Sequence, residues 1–187
     1  MIKYPNELKK NYHKFKTYGN RGMTLEAELN QTNEYYLEKN IAVVYKKPTP
    51  IQIVKQVDGK ITEAFFKIPS TTDYNGLYDG KYIDFEAKET TQKTSFPLSN
   101  IHNHQIRHMN NIINHKGLSF LIVRFTTINE TYLLFTNDLL DFLENNTRKS
   151  IPLEFFKQKG YLLKEKLSPR IDYIEIIKEY GGKYEKD

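Results

Sequence analysis

An α/β fold follows from three features of this 187-residue chain. There is helical periodicity near the start, a pair of Asp-Gly hairpin signals lies between β-rich runs, and an unbroken apolar run reads as a buried strand. The first feature spans Thr24 to Asn40, where Leu25, Leu29, Tyr36 and Leu37 recur at mostly helical spacing. Glu26 and Glu28 sit in its first turn, where the helix dipole favours acids. Ile41 to Tyr45 follows as a strand. Ile51 to Val57 and Lys60 to Phe66 flank Asp58-Gly59, a two-residue turn whose type needs positive φ at both central positions. Tyr74 to Tyr78 and Lys81 to Lys88 repeat the device around Asp79-Gly80. Ser99 is expected to cap a helix that runs to about Lys116 and closes at Gly117. Leu118 to Phe125 and Tyr132 to Phe135 read as two further strands. Three short helices are expected near Asn137 to Asn145, Pro152 to Lys159 and Pro169 to Tyr180, the last with Ser168 as its cap.

Composition narrows the functional classes. Hydrophobic residues make up 39% of the chain and aromatic residues 13%, enough for a real core, and no repeat or low-complexity linker divides it. Cysteine is absent, which excludes disulfides, thiolate metal sites and cysteine nucleophiles. No apolar run has the length of a membrane span and the start lacks a signal-peptide core, so the expectation is a soluble cytoplasmic protein with no membrane partner. Net charge is +5, and its distribution is uneven. Residues 1–21 carry Lys3, Lys9, Lys10, Lys14, Lys16 and Arg21 against Glu7 alone, so the whole surplus lies there. Interleaved with Tyr4, Tyr12, Phe15 and Tyr18, such an arm suits a polyanion: lysines displace condensed counterions and rings stack on exposed bases. A solvated tail has the same composition. The expected organisation is a basic arm over 1–22 and one domain over 23–187, with a hairpin at about 51–66.

The chemistry concentrates between Ser70 and Gln105. In Lys81-Tyr-Ile-Asp-Phe-Glu-Ala-Lys88, strand alternation sends Ile83, Phe85 and Ala87 to one face and Asp84, Glu86 and Lys88 to the other. Asp73 stands at the mouth of the hairpin that carries Glu86, so one strand out and one back returns it to that carboxylate. Two carboxylates can hold a hard cation through oxygen, and a lysine beside them meets the charge that develops on a phosphate during cleavage. Glu-x-Lys alone is equally the pattern of a salt bridge on an exposed sheet. Asp73 is what sets this constellation apart.

On the following helix, positions 101, 105, 108 and 112 form one stripe, in which Gln105 interrupts Ile101 and Ile112. A buried amide needs partners, and its carbonyl oxygen turned toward a cation is one of them; backbone or water is the other. His104 and His108 have the i, i+4 spacing of a zinc pair, but the sequence offers no third ligand.

With these residues in place, a resemblance covers nearly the whole chain. Asn20-Arg-Gly-Met-Thr-Leu-Glu26, Lys46-Lys-Pro-Thr-Pro50, Ser70-Thr-Thr-Asp-Tyr-Asn-Gly76, Tyr82-Ile-Asp-Phe-Glu-Ala-Lys-Glu-Thr90, Lys93-Thr-Ser-Phe-Pro-Leu98, His104-Gln105 and Arg170-Ile-Asp-Tyr173 resemble the RecU family of bacterial Holliday-junction resolvases, within the P-D…(D/E)-x-K nucleases. The resemblance implies a restriction-endonuclease-like α/β fold: a mixed central β-sheet flanked by helices, with a protruding β-hairpin stalk. It implies a homodimer that binds branched DNA and nicks it symmetrically, with Mg2+ as cofactor, Mn2+ as its substitute and a 5′-phosphate product. It places Thr71, Asp73, Glu86 and Gln105 on metal-binding positions, Lys88 on the transition-state stabiliser, and Glu26 as an auxiliary acid. Recombinase or branch-migration machinery is the implied protein partner, and the bacterial nucleoid the implied location. Arg21, Lys46, Lys47 and Arg107 are the expected DNA-backbone contacts. The hairpin tip Lys55-Gln-Val-Asp-Gly-Lys60 is shorter than the family stalk, and the basic arm is shorter too. The rival readings are a module that binds branched DNA without cutting, and an endonuclease with no junction preference.

Overall fold

The computed structural model describes residues 24–66 and 71–184. The arm expected over 1–22, Arg21 included, lies outside them. Helix α1 (Leu25–Glu38) leads into β1 (Val43–Lys46) and the hairpin β2 (Ile51–Val57) and β3 (Lys60–Phe66). Then come β4 (Tyr74–Tyr78), β5 (Lys81–Thr90), β6 (Ser95–Pro97), a 3₁₀ turn (Leu98–Asn100) and α2 (Asn103–Asn114). The remainder is β7 (Leu118–Phe125), β8 (Glu130–Phe135), α3 (Thr136–Asn145), β9 (Ser150–Pro152), α4 (Leu153–Lys159), β10 (Tyr161–Leu162), α5 (Tyr173–Tyr180) and a closing 3₁₀ turn (Gly181–Tyr184).

Six strands form the central sheet in the order β1-β4-β5-β7-β8-β10. The β5–β7 pair is parallel and its neighbours are antiparallel, so the sheet is mixed. The parallel pair requires a crossover, and α2 supplies it. All of β7 is buried, because helices cover both faces of the sheet. Phe120 and Ile122 pack on one side with Leu29, Tyr36, Phe85, Tyr173 and Ile177. Leu121, Val123 and Phe125 pack on the other with Met109, Leu134, Leu139 and Phe156. The β2–β3 hairpin is a sheet of its own, with every residue of β2 exposed. Asp58 and Gly59 have φ of 48° and 75°, as Asp79 and Gly80 do, the positive values that both Asp-Gly turns demand.

Helix α1 shows how polar residues can lie on a buried face. Its inward stripe contains Glu28, Thr32 and Asn33 as well as Leu25, Leu29 and Tyr36. The segment Arg170 to Tyr173 satisfies all three polar groups. Arg170 donates to Glu28 at 2.9 Å, the Ile171 amide donates to Thr32 at 3.1 Å, and the Tyr173 hydroxyl donates to Asn33 at 2.5 Å. Arg124 pairs with the other Glu28 oxygen. Asp172 accepts from the Tyr36 hydroxyl and also caps α5, accepting from the Glu175 amide at 3.3 Å. The final helix therefore begins at Tyr173, not at Pro169, because residues 170–172 are held by α1.

Two further expectations are corrected. Ser99 lies in the 3₁₀ turn, and α2 is capped by His102 in a capping box with Gln105. The buried side of α2 is Gln105, Met109 and Ile113, so His108 sits at the margin of the stripe instead of within it. Between β6, which pairs with β9, and α2 the chain makes that 3₁₀ turn before the helix starts at Asn103.

Gly76 lies in β4 between Val44 of β1 and Ile83 of β5. A Cβ there would stand 2.2 Å from the Val43 carbonyl oxygen and 2.8 Å from the Val44 Cα, both backbone atoms that cannot move aside. Gly76→Ala is expected to cost more than about 2 kcal/mol, since β1 must be displaced. Urea denaturation measures it, and an unchanged midpoint would mean that β1 shifts freely.

Candidate active site

Strand β5 carries the site and β4 brings the second acid to it. Tyr74 pairs with Phe85, which puts Asp73 level with Glu86. The two acids are tied reciprocally through the backbone: the Asp73 amide donates to Glu86 Oε2 at 3.1 Å, and the Ala87 amide donates to Asp73 Oδ2 at 3.2 Å. Glu86 is fully buried. Its Oε1 accepts from Gln105 Nε2 at 2.7 Å and pairs with the Lys88 ammonium. Asp73, Lys88 and Glu26 line one shallow cleft together with Glu89. Glu89 also accepts from the Leu25 amide at 3.0 Å, which fixes the start of α1, and with it Glu26, to the strand that bears Glu86.

The expected site residues therefore divide. Asp73, Glu86, Lys88 and Gln105 are brought together, and Glu26 reaches the same cleft. Gln105 arrives in a different role from the one expected: its Oε1 accepts from the His102 amide at 3.0 Å, so the amide nitrogen and not the oxygen faces Glu86. Thr71 is exposed and its hydroxyl accepts from Lys47 at 3.1 Å. Lys46 pairs with Glu26 at 2.5 Å, and Arg107 is exposed on α2. Lys47 does not face outward. Its ammonium donates to Asp84 at 2.6 Å and to Thr72 at 2.7 Å. Asp84, fully buried, also accepts from Thr72, with His108 Nε2 3.3 Å away. Sequence reasoning left Asp84 and Thr72 out of the site. Alternation had set Asp84 on the face of Glu86, which was the available signal.

Burial, with the Asp73 carboxylate beside it, pushes Glu86 from an ordinary 4.5 up to about 7, and Lys88 works against the rise. A buried carboxyl next to a second carboxylate is a place that a cation would relieve. Among the described residues no group of three or more His, Cys, Asp or Glu side chains could hold a metal ion. Magnesium does not need one, since it commonly binds through one or two carboxylates and keeps waters and substrate phosphate for the rest. The oxygen-rich, sulfur-free donor set fits it.

The raised value has a consequence for the metal-free protein. Between about pH 4.5 and 7 the folded chain keeps a proton on Glu86 that the unfolded chain releases, so stability falls as pH rises through that window. Glu86→Gln removes the buried charge, and above pH 7 the variant is expected to gain on the parent by up to about 3 kcal/mol. Melting curves across pH in EDTA test this. Parallel curves for the two proteins would place the proton elsewhere.

The chain matches the family described as RecU, recombination protein U, over residues 20–179. It is 51% identical over 195 residues to a protein of Geobacillus sp. (strain WCH70) named Holliday junction resolvase RecU, covering 96% of this chain and 97% of that one. A protein of the same name from Bacillus cytotoxicus is 52% identical over 193 residues, covering 94% and 96%. One from Streptococcus thermophilus (strain ATCC BAA-491 / LMD-9) is 46% identical over 196 residues, covering 97% and 98%.

Proposed function

We infer, from the premise that this chain belongs to the recombination protein U (RecU) family, that it is a Holliday junction resolvase, a structure-specific endonuclease acting on four-way DNA. The observation that supports cutting, and not merely binding, is the reciprocal tie of Asp73 to Glu86 with the Lys88 ammonium on the same carboxylate. A module that only grips DNA gains nothing from two acids turned toward phosphate, because each repels it.

Asp73 and Glu86 would hold the divalent cation, Mg2+ with Mn2+ as substitute, and Thr71 stands on the adjoining loop as a further oxygen donor. When bound, that ion supplies Lewis acidity at phosphorus and a water of lowered pKa. Lys88 sets a positive charge where negative charge builds up as the phosphodiester is attacked. Gln105, fixed by its capping box, holds Glu86 in one orientation by donating to it. Glu26 reaches the cleft from α1 as an auxiliary acid, with Lys46 offsetting its charge. Lys46, Arg107 and Arg21 are assigned to the DNA backbone.

Resolution requires two symmetric nicks, and a two-fold homodimer presents two such clefts by symmetry. The β2–β3 hairpin, with Lys55 and Lys60 near its tip, is assigned as a stalk that meets the branch. Recombinase or branch-migration proteins and the nucleoid complete the assignment. Among the described residues no helix is long and apolar enough to cross a membrane.

A cleavage assay that compares four-way junction, duplex and single strand, each with and without Mg2+, tests the reading. Paired symmetric nicks, ligatable and confined to the junction with Mg2+, are expected. Equal cutting of duplex would make the protein a general endonuclease, and tight binding with no cutting would make it a binding module.

A further inference from the structure

The Lys47–Asp84 ion pair beside the two acids has no role in the chemistry above. Lys47 closes it from the far side of the loop that carries Asp73. Its main-chain amide donates to the Asp73 carbonyl at 2.7 Å. Its ammonium has three protons and meets three oxygens: Asp84 Oδ2 at 2.6 Å, Thr72 Oγ1 at 2.7 Å and Thr71 Oγ1 at 3.1 Å. Thr72 in turn donates to the other oxygen of Asp84. Tyr82 donates to Asp84 Oδ2 at 3.3 Å, and Asn75 holds the Tyr82 hydroxyl at 3.1 Å. The Asp84 side chain is wholly buried and that of Lys47 is only 15% exposed.

Lys47 is thus unlike a phosphate-binding surface lysine, which keeps its ammonium in water until DNA arrives. Buried ion pairs contribute little to net stability, yet breaking one is costly, so they hold geometry better than they hold a fold together. This pair joins the two segments whose spacing the site depends on. One end grips residues 71–73, and the other is Asp84, two residues before Glu86 on the same face of β5.

We propose that Lys47 is a positioning residue for the cation site: through Asp84, Thr71 and Thr72 it fixes the Thr71–Asp73 loop against β5, so that Asp73 and Glu86 stand at the separation a divalent ion needs. The proposal rests on the reading of Asp73 and Glu86 as metal-holding acids. Groups behind metal ligands typically govern affinity by 10- to 100-fold, about the effect expected here.

The test is calorimetric titration of Mn2+ into the full-length protein, with junction affinity measured separately in EDTA. Lys47→Met should weaken Mn2+ binding by at least about tenfold and leave junction affinity and its salt dependence unchanged. Asp84→Asn, nearly isosteric, should weaken Mn2+ binding likewise, with a lowered melting temperature because the Lys47 ammonium loses its carboxylate. The double variant Lys47→Met/Asp84→Asn, which strands neither charge, should also weaken Mn2+ binding and decides the matter if either single variant fails to fold. Mn2+ affinity equal to the parent in Asp84→Asn overturns the proposal. So does a Lys47→Met protein that binds Mn2+ normally but loses junction affinity with a flatter salt dependence, since Lys47 would then be a phosphate contact. Asp73→Asn run in parallel separates the two levels. If it binds Mn2+ as the parent does, the metal reading itself fails; if it loses Mn2+ while Lys47→Met keeps it, only the positioning role falls.

Discussion

Asp73→Asn is expected to reduce junction cleavage by at least about 10³-fold, because it removes one of the two acids proposed to hold a divalent cation, which when bound would supply several kcal/mol of transition-state stabilisation. Folding should survive. The Ala87 amide that donates to Asp73 Oδ2 at 3.2 Å finds a carbonyl oxygen in asparagine at the same place. Junction affinity in EDTA should stay equal or rise, since a negative charge facing phosphate has been deleted. Single-turnover cleavage and gel-shift titration measure the two quantities. Loss of binding together with cutting would mean that Asp73 shapes the fold, and cutting retained within tenfold would remove it from the metal site.

Lys88→Met should lower the cleavage rate by about 10²- to 10³-fold, the effect of deleting a charge if it faces the developing anion as proposed. Its side chain is only 26% exposed, and methionine keeps much of its length and apolar stem, so packing is largely retained. A second effect follows from its other contact. Lys88 lowers the pKa of Glu86, which already stands at about 7. Without that ammonium Glu86 holds its proton to higher pH, so the protonated, metal-refusing form persists further into the alkaline range. The residual activity of Lys88→Met should therefore rise with pH over a range where the parent has levelled off. Pre-steady-state rates from pH 6 to 9 at sub-saturating Mg2+ test this, and profiles of identical shape would show that Lys88 acts on phosphate alone.

The parts of this molecule that sequence made legible are those governed by near neighbours. Both Asp-Gly turns need positive φ, and both have it. Alternation along β5 put Asp84 and Glu86 on one face, and both are buried there on the side from which Gln105 and His108 approach. What escaped was set by distant partners. For Gln105 the sequence left a cation or the backbone as partners of its oxygen; the His102 amide, freed by a helix that starts three residues later than Ser99 suggested, claims that oxygen. Lys47 read as an outward charge beside Lys46. Nothing local announces that Asp84, 37 residues on, is buried within reach of it. The Arg170 to Tyr173 segment was legible as a motif without a purpose, since the polar stripe of α1 that it satisfies lies well over a hundred residues earlier.

That last connection bears on the order in which the protein comes into being. Glu28 is buried with its charge shared between Arg124, 96 residues later, and Arg170, 142 residues later. A growing chain on the ribosome has neither guanidinium when α1 emerges, and seating the helix against the sheet at that stage would bury a bare carboxylate. Docking α1 with its buried carboxylate fully paired therefore requires residues as far along as Arg170. Because α1 also brings Glu26 to the cleft, a nascent chain that has not yet reached Arg170 lacks one of the acids that line it.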